Sequence, residues 1–443
     1  MSLRGALSRF RKRGYYGPAA LLGLARTPVG RRQLRRGLAW MAWPLAYPAA
    51  WLYRRLALRR TTVIAVVGSY GKTTTTRAVA AALGLEPRTN VNYRSFLAWS
   101  LLRVPPWRRL AVLEVGISRP GQMRGYARML RPDVAVVTSI GGEHRLSLGT
   151  LEDTRREKAR MVEALPPQGL AVLNGDDEHV RWMASRTAAR VVRVGRGPGN
   201  DVTAEDVALD WPRGSRFSLV AAGVRLALDT RLLGEPMLWA ALGAAAAALE
   251  LGVRPGLVRE RLAALPPTPG RLEPVVLPSG AWLLRDEAKS GLETFGPALE
   301  LFAAVPARRR LAVIGEITEP GMQGPAYRQL GEQLAAVSDR VVFLGKDRTF
   351  KPLRMGLRQG GCDVSRVRRS RTVDQAAELL RGELGPGDVV LLKGRDEQKM
   401  ERIALLLRGE TVRCVLRTCR AIGQGCFGCA MRERGWEGLR PVT

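Results

Sequence analysis

Two clusters of residue types in this chain can do chemistry. The first is Gly68-Ser69-Tyr70-Gly71-Lys72-Thr73-Thr74, set between a β-branched run from Thr61 to Val67 and an alanine-rich stretch from Thr75 to Gly84. Strand, glycine-rich turn and helix form the setting that a phosphate-binding loop requires. Glycines let backbone N–H groups approach phosphate oxygens, and a helix N-terminus adds positive potential. In that setting Gly68, Ser69, Gly71 and Thr74 belong to the cradle, Lys72 reaches the β- and γ-phosphates of ATP, and the Thr73 hydroxyl ligates Mg²⁺. The strict pattern has glycine at position 66, and Val66 stands there instead. A glycine-rich βα turn that binds no nucleotide is the competing reading. The second cluster is Cys414-x4-Cys419-x6-Cys426-x2-Cys429, on a segment that also holds Gly423, Gly425 and Gly428. C-x2-C bends readily around a tetrahedral metal, so Zn²⁺ or an iron–sulfur cluster is one expectation. Reduced structural or redox thiols are the other, with Cys414 on a strand from Thr411 to Leu416.

Elements must position these groups. A chain of 443 residues predicts two or three domains. Hydrophobic residues at 46% and charged residues at 25% are ordinary for a globular protein and exclude wholesale disorder, a collagen-like chain and a polytopic membrane protein. Thiols gathered near one end are not a disulfide framework, which points to a reducing, cytoplasmic interior. The charge is unusual: 71 basic against 40 acidic residues, a net of +31. Residues 1–60 contain no Asp or Glu, and their Arg and Lys bracket a charge-free run from Gly37 to Tyr53 that carries Trp40, Trp43, Tyr47, Trp51 and Tyr53. Such a block suits an anionic surface. The run is short for a bilayer span, and Pro44 and Pro48 interrupt it. Three readings follow: a segment at the inner membrane face, a true anchor, or a helical pair packed on the protein. The body holds no aromatic-interleaved basic motif, so no dedicated nucleic-acid partner is expected.

The loop G-[ST]-x-G-K-T-T resembles that of the Mur ligases, the ATP-dependent amide-forming enzymes of peptidoglycan assembly. Further matches follow in order. Asn90-Val-Asn92 resembles the G-N-x-N-N stretch of the member that adds D-alanyl-D-alanine, and Ala111 to Gly116 the strand ending in E-x-G. Arg131-Pro132-Asp133 with Val134 to Ile140 resembles the next strand, and Gly141-Gly-Glu-His144 the G-x-x-H. Gly149, Glu152 and Lys158 match G-[ST]-x-E…K, and Val172 to Asp177 match V-L-N-x-D-D. Pro269-Gly270-Arg271, Val313 to Gly321 and Gly387 to Gly394 resemble the boundary, start and K-G strand of the C-terminal domain.

The resemblance implies an α/β protein. A P-loop central domain with a parallel sheet would span 61–268 and a Rossmann-like domain 269–410, preceded by the basic apolar segment 1–60 and followed by a Cys-rich tail, 411–443. It implies an acyl-phosphate route: ATP phosphorylates a carboxylate acceptor, and an amino acid or dipeptide amine displaces the phosphate. Glu114 would join Thr73 at one Mg²⁺. His144, one of only two histidines, would help hold a second. Lys158 would act as a carbamate ligand, the competing reading being a solvated helical lysine beside Arg155, Arg156 and Arg160. Arg271 and Asp286 would face the nucleotide, and Asn90, Asn92 and Lys393 the substrate.

Three departures stand out. The family's uridine-nucleotide domain is not recognisable before the loop. The H-N-x-x-N-A segment reads Glu235-Pro236-Met237-Leu-Trp239-Ala240. The D-D-x-Y-N-A-N-P segment reads Arg285-Asp286-Glu287-Ala288-Lys289-Ser290-Gly291-Leu292. A cell-wall precursor ligase is therefore expected first. A membrane-held ligase for polyglutamate or a lipid-linked acceptor comes second, and a non-catalytic nucleotide-binding scaffold third.

Overall fold

The computed structural model describes residues 27–87, 94–142, 145–221, 223–318, 323–419 and 425–435. Two sheets carry the architecture. The first has the order β2-β1-β3-β4-β5-β6-β7-β8, from β1 (Thr62–Val67), β2 (Leu110–Glu114), β3 (Val134–Val137), β4 (Leu170–Asn174), β5 (Arg190–Gly195), β6 (Val202–Asp210), β7 (Gly214–Ala221) and β8 (Val224–Thr230). Pairing is parallel from β2 through to β6 and antiparallel from β6 to β8. The β-branched run predicted as a buried strand is β1, with Val63 to Val67 out of solvent. Parallel strands covered on both faces read this way, as continuous apolar runs.

The second sheet has the order β13-β12-β11-β14-β10-β9, from β9 (Glu273–Val276), β10 (Trp282–Asp286), β11 (Arg309–Ile314), β12 (Arg340–Leu344), β13 (Val367–Ser370) and β14 (Asp388–Lys393). It is parallel except for the β9–β10 edge. One apolar cluster runs from Ile64 and Val136 of the first sheet through Leu272 and Leu301 to Ala312 and Leu391 of the second. Burial of that surface, at roughly 25 cal/mol per Å², presses the two sheet systems together.

The segment before β1 is helical. Helix α1 (Pro28–Met41) and helix α2 (Trp43–Leu56) divide the charge-free run between them. Among the described residues no helix is long and apolar enough to cross a membrane, so the anchor reading is corrected to a helical pair packed on the first sheet system. Arg54, inside α2, explains the attachment. Its guanidinium donates to the carbonyls of Leu130 (2.8 Å) and Arg131 (3.0 Å) and to Asp133 Oδ2 (2.9 Å). Asp133 Oδ2 also accepts the amide of Val63 at the start of β1 (2.8 Å). Tyr47 and Tyr53 donate to the carbonyls of Gly125 and Val104.

Candidate active site

The phosphate loop joins β1 to helix α3 (Lys72–Ala82), and its glycines have a steric cause. Gly68 lies at φ +150°, where a Cβ would sit 1.9 Å from Thr138 Oγ1, and Gly71 caps α3 in the left-handed region at φ +80°. Both conformations leave the loop backbone turned over the helix N-terminus.

Ser69 is the hub. It is fully buried. Its amide donates to Ser139 O (2.7 Å), and its hydroxyl donates to Gly141 O (3.1 Å) while accepting from Gly141 N (2.8 Å). Lys158 Nζ donates to the same hydroxyl at 2.7 Å. Lys72 Nζ donates to the carbonyls of Gly68 (2.7 Å) and Ser69 (2.8 Å). Two buried lysines from distant parts of the chain therefore converge on one serine. Lys158 belongs to helix α4 (Leu151–Ala159), whose start is fixed by a capping box between Thr150 and Asp153. Only 3% of Lys158 is exposed, which removes the solvated-lysine reading. Glu114 is buried at the end of β2, paired in register with Val66, two residues before the loop. Thr73 is half-buried in the first turn of α3.

Asp286 ends β10, and Lys393 ends β14 beside it. They form an ion pair, with Lys393 also 4.9 Å above the Phe295 ring and fully buried. Asp286 Oδ1 accepts the amide of Leu272, the residue after Arg271 (3.3 Å). Asn90, Asn92 and His144 lie outside the described residues. Among those that are described, no three His, Cys, Asp or Glu side chains are gathered as a metal site. At the Cys tail the expected strand is reduced to a single bridge at Cys414.

Residues 66–248 match the Mur ligase middle domain, and residues 271–395 match the Mur ligase glutamate ligase domain. The UDP-N-acetylmuramoyl-tripeptide--D-alanyl-D-alanine ligase of Mycobacterium tuberculosis strain H37Rv is 31% identical over 77% of this chain and 72% of its own. The chain belongs to the Mur ligase family. The enzyme of the same name from Escherichia coli K12 is 29% identical over 67% of each chain. Among solved structures, MurF from Acinetobacter baumannii superposes with a TM-score of 0.73 at 22% identity, over 83% of this chain and 81% of that one. MurF from Thermotoga maritima, solved with ADP, gives 0.72 at 23% identity over 83% and 84%.

Sequence reading of this Mur ligase missed the contact that joins its two sheet systems at the loop. Glu293, from the 3-10 turn after β10, accepts the amide of Gly142 at 2.8 Å and pairs with the Tyr70 hydroxyl. Lys289 Nζ lies 5.5 Å over the Tyr70 ring. The rewritten segment 285–293 is thus the part of the second system that reaches the phosphate loop. The absence of the family's Asn and Tyr there was visible, but not where their replacements point.

Proposed function

We propose that this chain is an ATP-dependent ligase that forms an amide bond through an acyl phosphate, in peptidoglycan precursor synthesis, as its similarity to the UDP-N-acetylmuramoyl-tripeptide--D-alanyl-D-alanine ligases suggests. The observation that carries this reading is the convergence of Lys72 and Lys158 on Ser69 beneath a glycine loop at a helix N-terminus. The acceptor supplies a carboxylate. One of its oxygens takes the γ-phosphoryl group, ADP leaves, and the amine of an amino acid or dipeptide displaces inorganic phosphate. Such transfer depends on positioning and on neutralising negative charge. Lys72, withdrawn onto its own loop, supplies a cation that swings to the phosphates. Glu293 and Tyr70 hold the second system over the loop, which excludes water from the acyl phosphate.

The donor set suits a hard divalent cation: a threonine hydroxyl at 73, a buried carboxylate at 114 and, by resemblance, His144 and a carbamate on Lys158. These residues would hold Mg²⁺, which supplies charge compensation at the transferring phosphoryl group. Carbamylation joins CO₂ to the neutral Lys158 amine with loss of a proton. It converts a buried cation into an oxygen donor, in keeping with its place against Ser69.

A lipid-facing position on the cytoplasmic side is supported by α1 and α2. Their outer surface exposes Leu38, Met41, Leu45, Leu52 and Leu56, with Leu45 77% exposed, and exposed Arg31, Arg32, Arg35, Arg59 and Arg60 flank it. An apolar stripe with basic flanks fits the anionic headgroup region. Co-sedimentation with phosphatidylglycerol vesicles, absent with phosphatidylcholine and lost in Leu45→Glu/Leu52→Glu, is the expected result.

The ligase reading is tested by product mass. Incubation with UDP-linked muramoyl tripeptide, D-alanyl-D-alanine, ATP and Mg²⁺ should give a species equal to acceptor plus dipeptide less one water. ATP hydrolysis without a joined product refutes it.

A further inference from the structure

Helix α3, which opens beneath the phosphate loop, carries a buried cation that the ligase chemistry leaves unused. Arg77 is 6% exposed in a helix that continues with Ala78, Val79 and three alanines, where a charged side chain is the costly choice. It stands one turn beyond Thr73 on the same helix face. Its Nη1 donates to Thr268 Oγ1 at 2.7 Å, across 191 positions, and Thr268 is itself buried. Burial lowers the pKa of the guanidinium, and the Glu273 carboxylate opposes that shift.

Thr268 begins the turn that joins the two sheet systems. Helix α5 (Pro255–Ala264) leads into it and packs along α3: Arg261 Nη1 donates to Ala82 O (3.0 Å), and Val258 and Leu262 share a core with Val79 and Ala82. The chain then reverses. Thr268 O accepts Arg271 N (3.1 Å), with Pro269 second and Gly270 third at φ +66°, the pattern of a type II turn. Leu272 follows at φ +50°, a left-handed conformation that strains a leucine. Contacts with the second system grip the far side. Gly270 N donates to Glu273 Oε2 (2.9 Å), Leu272 N to Asp286 Oδ1 (3.3 Å), and Ala288 N to Gly270 O (3.0 Å). The charge of Arg271 acts on the Asp286 carboxyl, as does that of Lys393.

We propose that Arg77 is a positioning residue for the nucleotide site: through Thr268 it holds the linker turn that sets Arg271 beside the Asp286–Lys393 pair. This role rests on the ligase reading in one respect, that ATP occupies the loop. Arg77 adds to the positive potential at the start of α3, which a bound polyphosphate offsets. Arg271 is set only while the turn is held, so ATP binding and the Arg77–Thr268 bond are coupled. Without that bond the turn is released on its α3 side, and the strain at Leu272 draws it away from Asp286.

The test uses the full-length chain with Thr268→Val, which keeps the side chain's shape, Arg77→Met, and the double variant. Gly270, Arg271 and Leu272 each donate an amide hydrogen bond, so hydrogen exchange reads the turn directly. Exchange of the peptide holding these amides should quicken about tenfold in each single variant, with α3 unchanged. Calorimetric titration with a non-hydrolysable ATP analogue and Mg²⁺ should show affinity about tenfold weaker, as for a lost hydrogen bond to a charged group. The double variant should be no weaker than the worse single one, because both remove one contact. Arg77→Lys, which keeps a charged donor, should recover most of the affinity. Single variants with wild-type turn exchange and wild-type affinity overturn the proposal, as does a double variant whose losses add. A merely structural Arg77 would lower global stability and leave both readouts unchanged in the folded fraction, which also overturns it. Neither readout needs an acceptor, an amine or turnover. The expected shifts without any ligation product would therefore support the role of Arg77 and refute only the ligase reading, whereas wild-type protein that binds no nucleotide overturns both.

Discussion

Lys158 Nζ lies 2.7 Å from Ser69 Oγ, although the two residues are 89 positions apart. This contact locates the lysine at the phosphate loop. Lys158→Ala should lower turnover about 10²–10³-fold, as when a preorganised polar group is removed from a transition state. Bicarbonate depletion should lower wild-type activity reversibly. Lys158→Ala should respond to added short carboxylates, which can take the carbamate's place, and not to bicarbonate. A variant with full turnover would exclude the role.

Glu293 tests the junction between the two sheet systems. Its carboxylate receives Gly142 N and the Tyr70 hydroxyl. Because Glu293 is exposed, the effect should be modest: about a tenfold loss in kcat/KM for ATP in Glu293→Ala, in line with hydrogen bonds to a charged group. Tyr70→Phe should lose less. Steady-state kinetics at varied ATP separates this from a loss of folded protein, which would leave KM unchanged.

Arg54 tests the attachment of the N-terminal helices. It is 7% exposed and bonds two carbonyls and Asp133. Removing one partner of a buried pair costs about 3–5 kcal/mol, less here because Asp133 keeps some solvent contact. Arg54→Ala should lower stability by about 2–4 kcal/mol in denaturant titration. A change under about 0.5 kcal/mol, the level of an ordinary surface substitution, would mean that α2 is not fastened as described.

Much of this was legible beforehand, and the limits have physical causes. The first strand and the helix after the loop were readable because β-branched runs and glycine turns are local signals. Only the resemblance pointed Lys158 toward the site, as a metal ligand and not as a partner of Ser69, because nothing in TRREKARMVEA separates a buried lysine from a solvated one. The N-terminal run misled as a possible span: Trp43, Tyr47 and Tyr53 pack inward, with Trp43 6.1 Å from Tyr126, while Trp51 and the leucines remain outside. Composition counts both alike. The Glu293 contact is a long-range pairing that no local pattern encodes.

Glu287 gives a pH prediction. Burial pushes its carboxyl up to about 7, assisted by Glu401 and opposed by Arg285, and its Oε2 has no hydrogen-bond partner among the described residues. Arg285 Nε is 2.9 Å from Glu287 Oε1, and the same guanidinium reaches Glu273 (2.9 Å) and Glu401 (3.7 Å). The folded state therefore binds the extra proton between the ordinary glutamate range and about 7. Its stabilising contribution is full below that window and is lost as pH rises through 7, at most about 3 kcal/mol. Glu287→Gln should reduce the fall in Tm between pH 5 and pH 8. An unchanged pH profile in the variant would assign that fall to other groups.

The most direct measurement is ADP release by the full-length protein with Mg²⁺ and ATP, across a matrix of carboxylate acceptors and amine donors. UDP-linked muramoyl peptides, free amino acids, glutamate oligomers and D-alanyl-D-alanine are included. The ligase reading predicts release only when an acceptor and an amine are both present, maximal with the muramoyl tripeptide and D-alanyl-D-alanine, and abolished in Lys72→Ala. ATP bound with no turnover for any pair, or ADP release indifferent to the amine, would contradict it.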